Sequence, residues 1–142
     1  MEINSNIKLK PVTKNDALFL YDLLKTKDPI ANISHKKMPS YDEHVNFILS
    51  NPYAIWYIIE YEGKKIGSVY LSKHDEIGIS LVDNSLYDKI GKSIIKLLIK
   101  NNPRKHYLAK VSPQNKKLQN FFINNGFTGL EYTYELIVEN DS

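Results

Sequence analysis

A carboxylate and a cationic turn stand 15 residues apart in the middle of this chain. The carboxylate is Glu76, first residue of Glu76-Ile77-Gly78-Ile79, and the turn surrounds Gly91. From Lys89 to Lys117 there are nine Lys or Arg and no Asp or Glu, while the remaining residues carry a net charge of −6. The overall +3 therefore hides a polarised chain with one segment suited to an anion. A helix that starts near Gly91 directs its first backbone N–H groups, and the positive end of its dipole, into that turn, which is a setting for phosphate. Glycine there allows close backbone approach. The plainer alternative is an ordinary turn followed by a solvated stripe of Lys92, Lys96 and Lys100 at i, i+4 spacing.

Glu76 fits proton abstraction if it lies on a strand. Glu76, Gly78, Ser80 and Val82 then share one face and Ile77, Ile79 and Leu81 the other. A face of Glu, Gly and Ser lacks bulk, which predicts room for a ligand with a carboxylate at its edge. The alternative is a solvent-exposed Glu beside Asp75 and His74.

The elements around these residues follow from period and punctuation. Residues 7–12 alternate as a strand. Thr13 with Asp16 and Ser40 with Glu43 are capping boxes, predicting helices to about Lys25 and Asn51. His44 lies one turn before Ile48, either as a partly buried residue satisfied by a neighbour or as a substrate contact. Residues 30–39 show no period, and a loop or short helix there would border a substrate site. Tyr53 to Tyr61 and Ile66 to Ser72 form a hairpin around Glu62-Gly63-Lys64, and Glu76 to Val82 extends it. A helix from Gly91 to Lys100, a strand from His106 to Val111, a helix from Asn115 to Asn125 with Leu118, Phe121 and Phe122 inward, and a strand from Phe127 to Val138 complete the chain. Gly126 is the expected C-cap of the last helix. The order is β-α-α-β-β-β-α-β-α-β, an α+β chain with a mixed, mostly antiparallel sheet flanked by helices. All 142 residues are read as a single domain.

Composition narrows the chemistry. With no cysteine there is no disulfide, thiolate ligand or Cys nucleophile, and His35, His44, His74 and His106 lack metal-ligand spacing, so no metal is expected. No apolar run approaches a membrane span and the start lacks a signal-peptide core, which predicts a cytoplasmic protein with no membrane partner. A nucleic-acid binder would use the basic segment, but no recognition motif accompanies it and the acidic remainder opposes it.

The chain resembles the GNAT superfamily of N-acetyltransferases over nearly its whole length. The likeness rests on Glu76-Ile77-Gly78-Ile79, on Gly91 at the final glycine of the pyrophosphate-loop pattern, and on Asn115, Leu118, Phe121, Phe122, Gly126 and Phe127 at the six positions of a C-terminal motif. Leu86 and Lys89 depart from the loop pattern, and Phe122 stands where many relatives carry a proton-donating Tyr. The resemblance implies acetyl-CoA as co-substrate. Leu81 and Val82 would pair with the pantetheine, Tyr87, Asp88, Lys89, Ile90, Gly91 and Lys92 would hold the pyrophosphate, Asn115 would hydrogen-bond the pantetheine, and Phe122 would border it.

Acetyl transfer to an amine of pKa about 10 needs a base. Glu76 is the candidate, and the resemblance agrees, since some relatives use a Glu at this position, often through water; His44 and Ser80 are the candidate acceptor-side residues. The thiol, of pKa about 8.5, leaves with less help, and Tyr70, Tyr87 or water could donate the proton. The implied acceptor is a primary amine of a small molecule, and the stretch from Tyr41 to Phe47 is similar to acetyltransferases of nucleotide-linked amino sugars. A polyamine, another small amine or a protein N-terminus also fits the acidic first half. The rival within the same fold is a catalytically silent domain that binds CoA or a partner; on either reading the chain is a monomer or a homodimer.

Overall fold

The computed structural model describes residues 6–26 and 38–138, so the expected segment bordering a site is outside the described residues up to residue 37. Among the described residues, five strands form one sheet in the order β1-β2-β3-β4-β5. They are β1 (Ile7–Pro11), β2 (Ile55–Tyr61), β3 (Lys64–Leu71), β4 (Glu76–Leu81) and β5 (Leu108–Ala109). The first four are antiparallel neighbours, and β5 runs parallel to β4. The helices are α1 (Ala17–Lys25), α2 (Tyr41–Leu49), α3 (Lys92–Asn101) and α4 (Lys116–Asn124).

The two caps form as their residue types require. Thr13 N–H donates to Asp16 Oδ2 at 2.8 Å, while Ser40 N–H donates to Glu43 Oε1 at 3.0 Å and Glu43 N–H to Ser40 Oγ at 3.1 Å. The hairpin turns through Glu62 and Gly63, both at positive φ, which suits the twist of the flanking strands. Alternation then divides the sheet. Ile59, Val69, Leu71, Ile77 and Ile79 face Ile94, Leu98 and Phe121 of the later helices. Ile58, on the opposite face, meets Ala17, Leu20 and Ile48 of α1 and α2. Among the described residues, no helix is long and apolar enough to cross a membrane.

Three expectations are corrected. The helix expected to begin near Gly91 begins at Ser85, runs through a π turn at Tyr87–Gly91 and continues as α3. Asp83 explains the earlier start: its Oδ1 accepts from Ser85 N–H and Ser85 Oγ, both at 2.9 Å, and its carbonyl accepts from Leu86 N–H. The strand expected at 106–111 shortens to Leu108–Ala109, because Tyr107 is committed to the loop after α3. Its hydroxyl donates to Asn102 O at 2.7 Å and accepts from Arg104 N–H at 2.8 Å. Residues 127–138 form no strand, and Leu130, Tyr132, Tyr134, Leu136 and Val138 are exposed. Their alternation records suitability for a sheet edge; the short β5 supplies too little edge to pair with.

Candidate active site

The parallel pairing of β4 with β5 stops after Ile77 opposite Ala109. Since Val82 N–H donates to Ile66 O in β3, the alternate main-chain groups, those of Ile79 and Leu81, point to the side where β5 has turned away. Of the pair Leu81 and Val82 expected to face a ligand, Leu81 points to that side, whereas the Val82 N–H is bonded to β3. Here the sheet opens along one edge of β4.

Glu76 stands beside that opening. Its Oε2 lies 2.8 Å from Lys110 Nζ, and its Oε1 accepts from Ser72 Oγ at 3.2 Å. The Lys110 hydrogen bond holds the carboxyl below the ordinary carboxylate range; burial opposes this and Ser72 adds to it. Glu76 is therefore an ionised acceptor at neutral pH. Glu76, Gly78 and Ser80 are half-buried on one face of β4, as alternation requires, while Ile77, Ile79 and Leu81 are buried on the other.

The space expected above Gly78 is filled. Tyr70, its cross-strand partner, lays its ring where a Cβ on Gly78 would stand. Tyr70 in turn stacks on Tyr53, with ring centroids 3.8 Å apart and planes at 6°. Trp56 and Phe47 continue the aromatic wall edge to face. Burial, and next the charge of Glu76, raise the Tyr70 phenol; burial likewise raises Tyr53. Tyr53 and Trp56 also line a cleft of about 120 Å³ with Val12, Ile48, Asn51, Pro52 and Ala54. His44 is buried in α2 between Tyr21 and Phe47, so its imidazole is part of this wall.

Around Gly91 the side chains are dispersed differently from the expected loop. Ile90 and Gly91 are buried, Asp88 pairs with Lys117, Lys89 Nζ lies 5.7 Å over the Tyr61 ring, and Lys92 is exposed in the first turn of α3. Gly91 is needed for packing: a Cβ on it would overlap the ring of Phe121. Asn115 caps α4, its Oδ1 accepting from Leu118 N–H at 3.1 Å. Phe122 is buried between Phe121 and Phe127.

Sequence reasoning missed Lys110, Ser72, Tyr53 and Ile79. Lys110 follows the last paired residue of β5, which a parallel register would place near the start of β4; nothing local marks Ser72.

No family model matches the sequence, and no curated protein matches it. Solved structures do match. A domain from Methanocaldococcus jannaschii is similar with TM-score 0.77 and 24% identity, over 93% of this chain and 94% of that one. Mutant forms of the spermidine/spermine N-acetyltransferase SpeG from Vibrio cholerae give 0.72 and 17%, over 96% and 88%. The ribosomal L7/L12 α-N-protein acetyltransferase RimL, in complex with coenzyme A, gives 0.67 and 13%, over 89% and 82%. The fold is thus that of the GNAT acetyltransferases, with β4 and β5 splayed beside a carboxylate.

Proposed function

We propose that this chain is an N-acetyltransferase that uses acetyl-CoA to acetylate a primary amine of a small molecule. The observation that carries the reading is the divergence of β4 from β5 next to Glu76. The main-chain groups of Ile79 and Leu81 suit the amides of an extended pantetheine, the side chain of Asn115 at the N-cap of α4 would offer it a further hydrogen bond, and Lys89 and Lys92 would supply cationic charge outside. A bound thioester would supply the electrophilic acyl carbon and a thiolate leaving group. Glu76, directly or through water, takes the proton from the ammonium, so that the neutral amine forms the C–N bond as the C–S bond breaks. Lys110 and Ser72 fix its carboxylate, and alignment in the cleft contributes much of the rate. Of the phenols considered as proton donors, Tyr70 stands on the Glu76 face.

SpeG acts on spermidine or spermine and RimL on a protein amine, which supports amine acetylation as the class of reaction. A nucleotide-linked amino sugar is the finer reading. It is supported by the aromatic wall of Tyr53, Tyr70, Trp56 and Phe47, against which sugar and base rings can pack. A catalytically silent domain is the second reading, favoured by the helical backbone through Gly91, which leaves fewer open amides for a pyrophosphate.

Calorimetry with acetyl-CoA, followed by thiol release with spermidine, a peptide N-terminus and a nucleotide-linked amino sugar, tests both readings. Saturable binding with amine-dependent thiol release supports the enzyme. Binding without release for any amine supports the silent domain, and no heat at millimolar acetyl-CoA removes the enzyme and leaves only a silent domain that binds a partner.

A further inference from the structure

Where β4 loses its neighbour, the C=O of Ile79 and the N–H of Leu81 ought to lack partners, at a cost that buried backbone groups rarely bear. Tyr87 partners the first of these: its hydroxyl donates to Ile79 O at 3.3 Å. Tyr87 follows the helix start at Ser85, and in the π turn its ring is turned inward and buried. Phe121 holds that ring edge to face, with centroids 5.3 Å apart at 65°, and itself rests against Gly91. Burial pushes the phenol up to about 12, so the hydroxyl stays neutral and keeps its donor. A secondary amide offers a donor for the same carbonyl.

The hydroxyl stands on the open side of β4, from which such an amide would have to approach that carbonyl. Resting on the acetyltransferase reading, we propose that Tyr87 is a displaceable placeholder. Its hydroxyl holds the Ile79 carbonyl at the open edge of β4 in the free protein and gives way when an amide of the pantetheine arm pairs there. Tyr87 then opposes cofactor binding and sets its affinity, the reverse of a residue that holds the cofactor by direct contact.

Tyr87→Phe keeps the ring on Phe121 and removes only the hydroxyl. The free variant should melt lower than the parent, because nothing replaces the lost partner of the Ile79 carbonyl. Coenzyme A and pantetheine should each bind about three- to tenfold more tightly to the variant, as expected when a competing hydrogen bond is removed. Pantetheine lacks the diphosphate, so an equal gain for both ligands places the effect at the strand edge. Affinity that is equal or weaker in the variant overturns the proposal alone, and so does a gain for coenzyme A without one for pantetheine. Absence of binding to either protein removes the acetyltransferase reading and the proposal with it.

Discussion

Lys110 Nζ and Glu76 Oε2 are 2.8 Å apart, which ties the residue after β5 to the first residue of β4 at the point where the two strands separate. Lys110 is mostly exposed and Glu76 mostly buried, so the pair sets the protonation of the carboxylate more than it adds to stability.

Lys110→Met should therefore shift the acidic limb of the rate profile. With Lys110 present, the Glu76 carboxyl is held low and the base stays ionised as the pH falls. Without it the carboxyl returns toward its ordinary value, so activity should be lost at a higher pH and change little on the alkaline side. The sign for stability is consistent. A depressed carboxyl stabilises the fold above its unfolded pKa, near 4.5, and that contribution fades as pH falls through the folded value. The melting temperatures of variant and parent should converge in acid. kcat/KM measured across pH, beside thermal melts at the same pH values, checks both; an unmoved acidic limb would disconnect Glu76 from the rate.

Glu76→Gln should slow amine-dependent thiol release by about 10²–10⁴-fold, the usual contribution of a general base. Coenzyme A should bind as before, because the β4 edge and the cationic turn are untouched. Turnover at the parent rate would assign proton removal to water or to another group.

Much of this architecture could be read from the chain, and the exceptions share a cause. Ser40 with Glu43, and the alternation from Ile55 to Leu71, act through neighbours in sequence, so they specify their elements locally. Gly78 and Gly91 are different: each glycine suggests space for a ligand, yet Tyr70 and Phe121 occupy it. Those rings lie 8 and 30 residues away in sequence, and only the tertiary fold brings them there. The expected strand at Phe127 to Val138 failed for a related reason, since a period of two describes a segment but not its partner. Glu76 was legible as a half-buried carboxylate, whereas its partner Lys110 required the register of a parallel pair.

Ending the chain before Leu130 tests the exposed segment. Leu130, Tyr132, Tyr134 and Leu136 contribute little burial, so the shortened protein should unfold within about 0.5 kcal/mol of the full chain, as for surface changes away from packed features. Urea unfolding of both proteins is the measurement. A loss above about 2 kcal/mol would show that these side chains are covered in solution, in the range expected when large apolar groups are buried.

Gly91→Ala distinguishes a packing role from a purely conformational one. Gly91 has φ −57° and ψ −40°, ordinary helical values, so by propensity alone alanine should stabilise by up to about 1 kcal/mol. The added methyl would meet the Phe121 ring, however, and overpacking of a buried contact costs about 1–3 kcal/mol. The net expectation is destabilisation. Phe121→Leu removes the ring edge, and in that background the same alanine should be neutral or stabilising. A double-mutant cycle by denaturant unfolding should show coupling above about 0.5 kcal/mol, because the two side chains would touch. If alanine stabilises the parent protein, the ring does not rest on Gly91, and Phe121 cannot hold Tyr87 at the edge of β4 in the way described.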